Sequence, residues 1–183
     1  VTVVAFDKTG TLTRGMPEVT DVIFRKASDG PGPASADELL AVAAGVERLS
    51  AHPLARAVLR HAEACRVGLA EVTESRALTG AGAQARLDGR EVYVGRPDFF
   101  LETLGVRLDP LSDDLARLEE EGKTVAVVGS AEEPWGAIAF RDDLRPNAVQ
   151  AIRHLRAAGV AKIVMLTGDN PRTAAAIAGA VGL

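Results

Sequence analysis

One aspartate follows directly on a strongly apolar, β-branched stretch of the chain. Val1 to Phe6 reads VTVVAF and leads at once into Asp7, Lys8, Thr9 and Gly10. Such a stretch predicts a strand that is buried on both faces, as in a parallel sheet. Asp7 then lies at the carboxyl end of that strand, where its carboxylate can attack a phosphorus atom and form an acyl phosphate.

The residue two positions after this aspartate bears on the lifetime of such an acyl phosphate. In related phosphatases a second Asp at this position protonates the leaving group and activates water, and such general acid–base help is typically worth about 10² to 10⁴ in rate. The chain has Thr9 at this position. We therefore expect a persistent aspartyl phosphate, which suits a pump better than a phosphatase.

A second polar loop lies near the other end of the chain. It follows a predicted strand, Lys162 to Leu166, and precedes a predicted helix, Pro171 to Val181. Hydroxyl and backbone N–H groups at a helix start can bind a phosphate. The alternative is that the loop only caps the helix. Its residues are Thr167, Gly168, Asp169 and Asn170.

The two ends of the chain and its middle differ in their pattern of predicted helices and strands. A helix predicted over Ala148 to Ala158 precedes the strand and helix just described. This alternation predicts an α/β, doubly wound sheet, in which ligands bind beyond the carboxyl ends of the strands. The middle predicts an α+β insertion. We expect one domain made of residues 1–17 and 141–183, and an inserted domain made of residues 18–140.

Local signals predict several elements within the insertion. Ser35 and Glu38 form a capping-box pattern, and Asp88-Gly89 is a strong hairpin signal. A Gly/Pro/Ser loop is predicted over residues 28–35. The predicted helices are Ala36 to Leu49 and Pro53 to Val67, and the predicted strands are Glu18 to Arg25, Ala83 to Leu87, Arg90 to Val94, Lys123 to Val128 and Trp135 to Phe140.

The motif DKTGTLT, Asp7 to Thr13, resembles the phosphorylation motif of P-type ATPases in the haloacid-dehalogenase-like superfamily. The resemblance implies that Asp7 is phosphorylated, that Lys8 belongs to the catalytic site, and that the Asp7 carboxylate and the Thr9 carbonyl bind Mg²⁺. TGDN resembles the family's second phosphate-binding motif, with Thr167 on the phosphoryl group and Asp169 in the catalytic site. Gly168 and Asn170 would then bind the nucleotide.

Asp142 to Arg145 resembles the family's D-x-x-R hinge segment, which can also contact nucleotide. The alternative for Asp142 and Arg145 is a surface salt bridge beside a helix start. Lys123, in a Gly-Lys-Thr sequence, lacks the context of a phosphate-binding loop. We interpret Lys123 as structural.

The segment from Ser50 to Leu54 resembles the S-E-H-P-L signature of the heavy-metal subgroup of P-type ATPases. The resemblance implies that His52, followed by Pro53, orients the adenine ring. Gly80 and Gly82 match the subgroup's G-x-G loop, where missing side chains let backbone approach the phosphates. A capped turn and a simple bulge are the alternatives for these two segments.

Two residues depart from the subgroup's pattern. Ala51 replaces the acidic residue that usually precedes this histidine, and Arg96 stands where many copper-type members carry Asn. Nucleotide affinity is then either lower, or maintained by substitute contacts such as Arg96 to phosphate.

Composition excludes some classes of function. The net charge is -4 with scattered Lys and Arg, which disfavours nucleic acid as a partner. No apolar run reaches the length of a membrane helix. Cys65 is the only cysteine, which excludes an internal disulfide and a cysteine-cluster metal site. Because Val1 begins within an apolar run, we expect a piece of a longer protein.

Taken together, the resemblance implies ATP-driven transport of a heavy-metal cation through an aspartyl phosphate, with ATP and Mg²⁺ as cofactors. Covalently linked transmembrane and actuator domains would be its partners. The chain would lie on the cytoplasmic side of a prokaryotic plasma membrane and would not bind the transported ion. Arg96-Pro97 and residues 142–146 favour zinc, cadmium or cobalt over copper.

The family's later G-D-G-x-x-N-D motif is not in this sequence, so we expect the isolated chain to hydrolyse ATP slowly or not at all. Two alternatives stay open. One is a phosphatase of the same superfamily with the insertion as a cap, against which Thr9 argues. The other is a non-catalytic nucleotide-binding or scaffolding module.

Overall fold

A computed structural model describes residues 1–26 and 32–183. The predicted loop over residues 28–35 therefore lies partly outside the described residues. In these two ranges no helix has the length and apolar composition needed to cross a bilayer. The strands are β1 (Val3–Asp7), β2 (Glu18–Phe24), β3 (Thr73–Leu78), β4 (Gly82–Leu87), β5 (Arg90–Gly95), β6 (Thr124–Ser130), β7 (Pro134–Arg141) and β8 (Lys162–Leu166), and the helices are α1 (Ala36–Glu47), α2 (Pro53–Ala64), α3 (Ser112–Glu120), α4 (Ala148–Ala157) and α5 (Pro171–Val181).

A small parallel sheet joins the two ends of the chain. Strand β1 pairs with β8, from Val3 opposite Lys162 to Asp7 opposite Leu166. Parallel neighbours need a crossover, and here the crossover contains the whole insertion and α4. The core of this part is small and consists of Leu12, Ala148, Ile152 and Val181, with Phe6, Ile163 and Met165 packed against it.

The prediction that β1 is buried on both faces is wrong for the described residues. Along β1, partly covered residues such as Phe6 alternate with exposed ones, and Val3 is 53% exposed. In β8, Leu166 is 58% exposed. The reason is that this sheet contains only two strands in the described part of the chain, and its core cluster covers one face.

A larger antiparallel sheet has the strand order β2-β7-β6-β5-β4-β3. Its faces alternate along β6, because Ala126 and Val128 pack in one core while Val125 and Val127 pack in the other. The first core contains side chains of α1 and α2, including Leu39, Val46 and Val58, and the second contains side chains of α3 and the segment before it, including Phe100, Leu111 and Leu118.

The two helices on the first face begin as the sequence predicts and end earlier. The Ser35 hydroxyl accepts a hydrogen bond from Glu38 N, and the Glu38 carboxylate accepts one from Ala34 N instead of Ser35 N. Helix α1 ends at Glu47, before the predicted Leu49. Helix α2 ends at Ala64, before the predicted Val67, because the left-handed Arg66 lets Val67 N turn back to the carbonyl of Ala62.

The hairpin between β4 and β5 confirms the Asp88-Gly89 signal. Asp88 and Gly89 both have positive φ, as a two-residue turn of type I′ requires. At the other end of the hairpin Gly82 pairs with Gly95. A Cβ built on Gly82 would lie 2.0 Å from the carbonyl oxygen of Val94, so only glycine fits there.

We expect Gly82→Ala to destabilise the larger sheet more than Gly80→Ala. Both positions have positive φ, and the strain of a left-handed alanine costs about 1 to 2 kcal/mol. Only Gly82 adds an overlap with backbone, worth about 1 to 3 kcal/mol more. Urea unfolding followed by circular dichroism measures the difference, and equal losses in the two variants would contradict it.

Candidate active site and nucleotide cavity

Asp7 is the last residue of β1, and a fixed turn follows it. Residues Lys8–Leu12 form one wide helical turn that is interrupted by extended Thr9 and by Gly10 with φ of 78°. Thr13 N donates to the carbonyl of Lys8 over 3.0 Å, and the Thr13 hydroxyl oxygen accepts from Gly10 N over 3.3 Å. The turn is therefore closed by its own hydrogen bonds, and the exposed Asp7 lies at its start.

The two loops at the carboxyl ends of β1 and β8 meet at one carboxylate. Lys8 Nζ lies 2.5 Å from Asp169 Oδ2, and both side chains are only 9% exposed. The same oxygen accepts the hydroxyl of Thr167 over 2.9 Å. Asp169 Oδ1 accepts the hydroxyl of Thr124, from the larger sheet, over 3.0 Å. Asp169 thus joins three segments that are distant in sequence.

Asp142 and Arg145 bind the backbone of the loop after Asp7. The Asp142 carboxylate accepts the Thr13 hydroxyl over 2.6 Å, and also accepts Gly15 N and Met16 N, each over 3.1 Å. The Arg145 guanidinium donates to the carbonyl of Gly10 over 2.8 Å. These contacts replace the surface salt bridge that was the alternative for this segment. Both residues hold the loop in place.

A cavity of about 480 Å³ lies between the two sheets. The small sheet and its loops contribute Lys8, Thr9, Asp142, Thr167, Gly168 and Asp169 to its walls. The larger sheet and its helices contribute Glu47, Ser50, His52, Pro53, Leu54, residues 77–82, Val94, Gly95, Arg96, residues 124–126 and Phe140. Residues predicted from both phosphate and nucleotide motifs therefore line one cavity, while Asp7, Arg145 and Asn170 are not among its lining residues.

Asn170 has a capping role. Its side-chain oxygen accepts a hydrogen bond from Thr173 N over 3.0 Å at the start of α5. Asn170 also borders a second cavity of about 50 Å³, together with Arg96, Gly168 and Asp169. The helix-cap alternative thus holds for Asn170, whereas Thr167 and Asp169 bind each other.

His52 caps α2 and lines the large cavity at the same time. Its Nδ1 accepts a hydrogen bond from Leu54 N over 3.3 Å. Because Nδ1 is the acceptor, the ring proton is assigned to Nε2. Its backbone N donates to the Ser50 hydroxyl over 3.3 Å. The capped turn and the ligand contact are therefore compatible roles for one residue.

Gly80 and Gly82 both line the cavity, but for different reasons. A Cβ on Gly80 would meet open space, whereas Gly82 is packed against the backbone of β5. The missing side chain of Gly82 thus permits strand packing, and Gly80 is the glycine that leaves room beside the cavity.

The sequence analysis missed Glu47, the last residue of α1. Glu47 is 8% exposed and lines the cavity. Burial raises the pKa of its carboxyl, and a hydrogen bond with Ser50 lowers that pKa in part. No local signal in the sequence indicates this burial, because an acidic residue at the end of a helix is normally exposed. Thr124, which binds Asp169, carried no such signal either.

Lys123 is structural, as interpreted from the sequence. Its ammonium lies 2.8 Å from Asp21 and 2.6 Å from Glu121, and the residue is 8% exposed. Burial lowers the pKa of Lys123, but the hydrogen bonds to the two carboxylates outweigh burial and leave that pKa above its ordinary value.

We expect Glu47→Gln to stabilise the protein near neutral pH. The pKa of Glu47 is raised from 4.5, so the folded state binds more protons than the unfolded chain, and stability falls as pH rises from about 4.5 through the folded pKa. Glutamine removes this loss, and the two proteins converge below about pH 4.5. Urea unfolding across this range tests the expectation, with the exposed Glu63→Gln as control. A difference that does not depend on pH would contradict it.

Comparisons with known proteins identify the family of this chain. The family model "haloacid dehalogenase-like hydrolase" matches residues 1–183. A zinc/cadmium/lead-transporting P-type ATPase of Escherichia coli (strain K12) is 42% identical over 100% of this chain and 23% of the relative. A copper-exporting P-type ATPase B of Archaeoglobus fulgidus is 41% identical over 98% of this chain and 24% of the relative.

A solved structure of a zinc-transporting PIB-type ATPase in its E2.Pi state matches all of this chain with a TM-score of 0.66 and 42% identity. The match covers 28% of that structure's chain. This chain spans about a quarter of the length of the curated relatives it matches. The chain therefore belongs to the haloacid dehalogenase-like hydrolase family, and its relatives there are heavy-metal P-type ATPases.

Proposed function

We propose that this chain is the part of a heavy-metal cation-transporting P-type ATPase that binds ATP and receives its terminal phosphoryl group on Asp7. One observation carries the proposal. Asp7 ends a strand beside Lys8, Thr9, Thr167 and Asp169, and these four neighbours line the same cavity as Glu47 and His52. A nucleotide held in that cavity would have its phosphates directed toward the Asp7 loop.

The two proposed domains correspond to the two sheets. We propose residues 1–17 and 141–183 as the phosphorylation domain and residues 18–140 as the nucleotide-binding domain. Each part has its own sheet and its own core. The chain passes between them at residues 17–18 and 141–142, and the hydrogen bonds from Gly15 and Met16 to Asp142 tie these two crossings together. Such a paired connection is suited to a hinge.

The proposed chemistry is a phosphoryl transfer. A carboxylate oxygen of Asp7 forms a bond to the γ-phosphorus as the bond from that phosphorus to the β,γ-bridging oxygen breaks, and ADP leaves with that oxygen and its electron pair. Asp7 attacks as a carboxylate, so this step requires no proton transfer from Asp7. We propose that the Thr167 hydroxyl, which donates to Asp169 Oδ2 over 2.9 Å, exchanges this hydrogen bond for one to the phosphoryl group. Thr9 supplies no acid for hydrolysis, so the phosphate stays on Asp7.

The oxygens at this end of β1 fit a magnesium ion. Within residues 1–26 and 32–183 the Asp7 carboxylate forms no hydrogen bond or ion pair, so its oxygens are available. The same ranges contain no group of three or more His, Cys, Asp and Glu side chains suited to a metal. Mg²⁺ commonly uses one or two carboxylates with waters and substrate phosphates. We propose that Asp7 and the Thr9 carbonyl would hold Mg²⁺, which when bound neutralises phosphate charge.

The partners, the location and the transported ion are also matters of proposal. We propose transmembrane and actuator domains as covalent partners and a location on the cytoplasmic side of a membrane. Relatives named for zinc and for copper match this chain almost equally well, so the preference for zinc, cadmium or cobalt rests on Arg96-Pro97 and residues 142–146 alone. The transported ion is a substrate of the proposed pump.

We expect Asp7→Asn to abolish covalent labelling by γ-³²P-ATP in a pump that contains this chain, because an amide cannot form the acyl phosphate. The label on the unchanged protein should be stable in acid and released by hydroxylamine, as acyl phosphates are. Asp113→Asn, at an exposed position on α3, is the matched control and should keep the label. Full labelling of Asp7→Asn would contradict the proposal. Rapid ATP hydrolysis by the unchanged protein without a trapped intermediate would favour the alternative of a phosphatase.

We expect calorimetric titration of the chain to show binding of ATP in preference to GTP, lost in His52→Ala. That variant also removes the cap of α2, so His52→Asn is the discriminating control, because asparagine is a good N-cap without an aromatic ring. Weak binding in both variants supports ring contact with adenine. Binding rescued by asparagine assigns His52 to capping alone. His154→Ala, on α4, should change nothing.

A further inference from the structure

Arg96 occupies a distinctive position between the two cavities. It follows the last residue of β5, and its backbone N donates to the carbonyl of Ala81 over 3.0 Å. This bond fixes Arg96 to the loop that carries Gly80 and Gly82. Arg96 lines the large cavity and also borders the small one, where Gly168 and Asp169 lie. The residue therefore stands between the nucleotide loop and the phosphate-binding loop.

The charges around the large cavity single out this arginine. Its described lining contains two Lys or Arg side chains, Lys8 and Arg96. Lys8 is already paired with Asp169 at 2.5 Å. Within the described part of the chain the Arg96 guanidinium forms no ion pair or hydrogen bond, and the residue is exposed. Arg96 is thus the cation that this cavity offers to a ligand without breaking an existing pair.

The three carboxylates that line the same cavity, those of Asp142, Asp169 and Glu47, supply no positive charge to a polyphosphate. Asp142 is occupied by the Thr13 hydroxyl and two backbone N–H groups, and Asp169 by Lys8 and two threonines. Glu47, which is 8% exposed, is the third carboxylate in the cavity lining. A ligand with several negative charges therefore needs a cation of its own, and a guanidinium binds phosphate oxygens in pairs.

We propose that Arg96 is a specificity-determining residue that binds the β- and γ-phosphates of the nucleotide and so selects nucleoside triphosphates over AMP and adenosine. The proposal rests on the nucleotide binding proposed above and names the group that recognises the phosphate chain. It assigns base recognition and phosphate recognition to different parts of the cavity wall, with His52 on one and Arg96 on the other.

The test is calorimetric titration of the chain with adenosine, AMP, ADP and ATP. In the unchanged protein we expect affinity to rise with the number of phosphates. Arg96→Ala should weaken ATP binding by about 10- to 100-fold, the range of a charge-assisted contact, and leave adenosine binding unchanged. Arg96→Lys keeps the positive charge but loses the paired N–H donors of the guanidinium, so its affinity for ATP should be intermediate. Arg90→Ala, at the exposed opposite end of β5, is the matched control and should behave as the unchanged chain.

The salt dependence of ATP affinity is a second measurement, which a purely structural role of Arg96 would not change. Affinity for ATP should fall with ionic strength in the unchanged chain and fall less steeply in Arg96→Ala, because exposed charges are screened. Equal weakening of all four ligands, or ATP affinity unchanged in Arg96→Ala, would overturn the assignment of Arg96 while leaving nucleotide binding intact. Failure of the unchanged chain to bind any of the four would overturn the proposed function and this inference with it.

Discussion

The buried ion pair between Lys8 and Asp169 is the contact on which the arrangement of the site depends. The two charged atoms lie 2.5 Å apart with both side chains 9% exposed, so removing either partner would leave a buried charge without compensation. Asp169 also binds Thr167 and Thr124, which brings the small sheet and the larger sheet together at one carboxylate. The position of the Asp7 loop relative to the cavity follows from this contact.

Two further groups of hydrogen bonds complete the junction between the sheets. Asp142 binds the loop after Asp7, and the fully buried hydroxyl of Thr173 donates to the carbonyl of Lys123 over 2.9 Å. The end of the insertion is therefore attached to the loop after Asp7, and the residue before its central strand is attached to α5. Attachment at separate points gives the cavity a defined shape, and the phosphate motifs and nucleotide motifs face the same space as a result.

Three ionisable side chains of this region have no ion-pair partner among the described residues. Glu47 is a buried acid whose pKa burial raises, and Asp7 and Arg96 have no partner among the described residues. Elsewhere the molecule pairs its buried charges, as Lys123 does with Asp21 and Glu121. Only the burial of Glu47 costs stability, because Asp7 and Arg96 are exposed. Such a departure is expected at a functional site, and all three residues lie in or beside the cavity.

Local sequence determined much of this structure. The Asp88-Gly89 turn, the strand Lys162–Leu166 and the helix beginning at Pro171 were predictable because a short segment contains the whole signal. Parallel pairing of the two ends also predicted that Asp7 and the loop after Leu166 would meet. Only the tertiary structure decided that Glu47 is buried, that Thr124 reaches Asp169, that Gly82 packs on Val94 and that β1 is half-exposed. These features depend on which distant segments pack together, and no local pattern of residues encodes that choice.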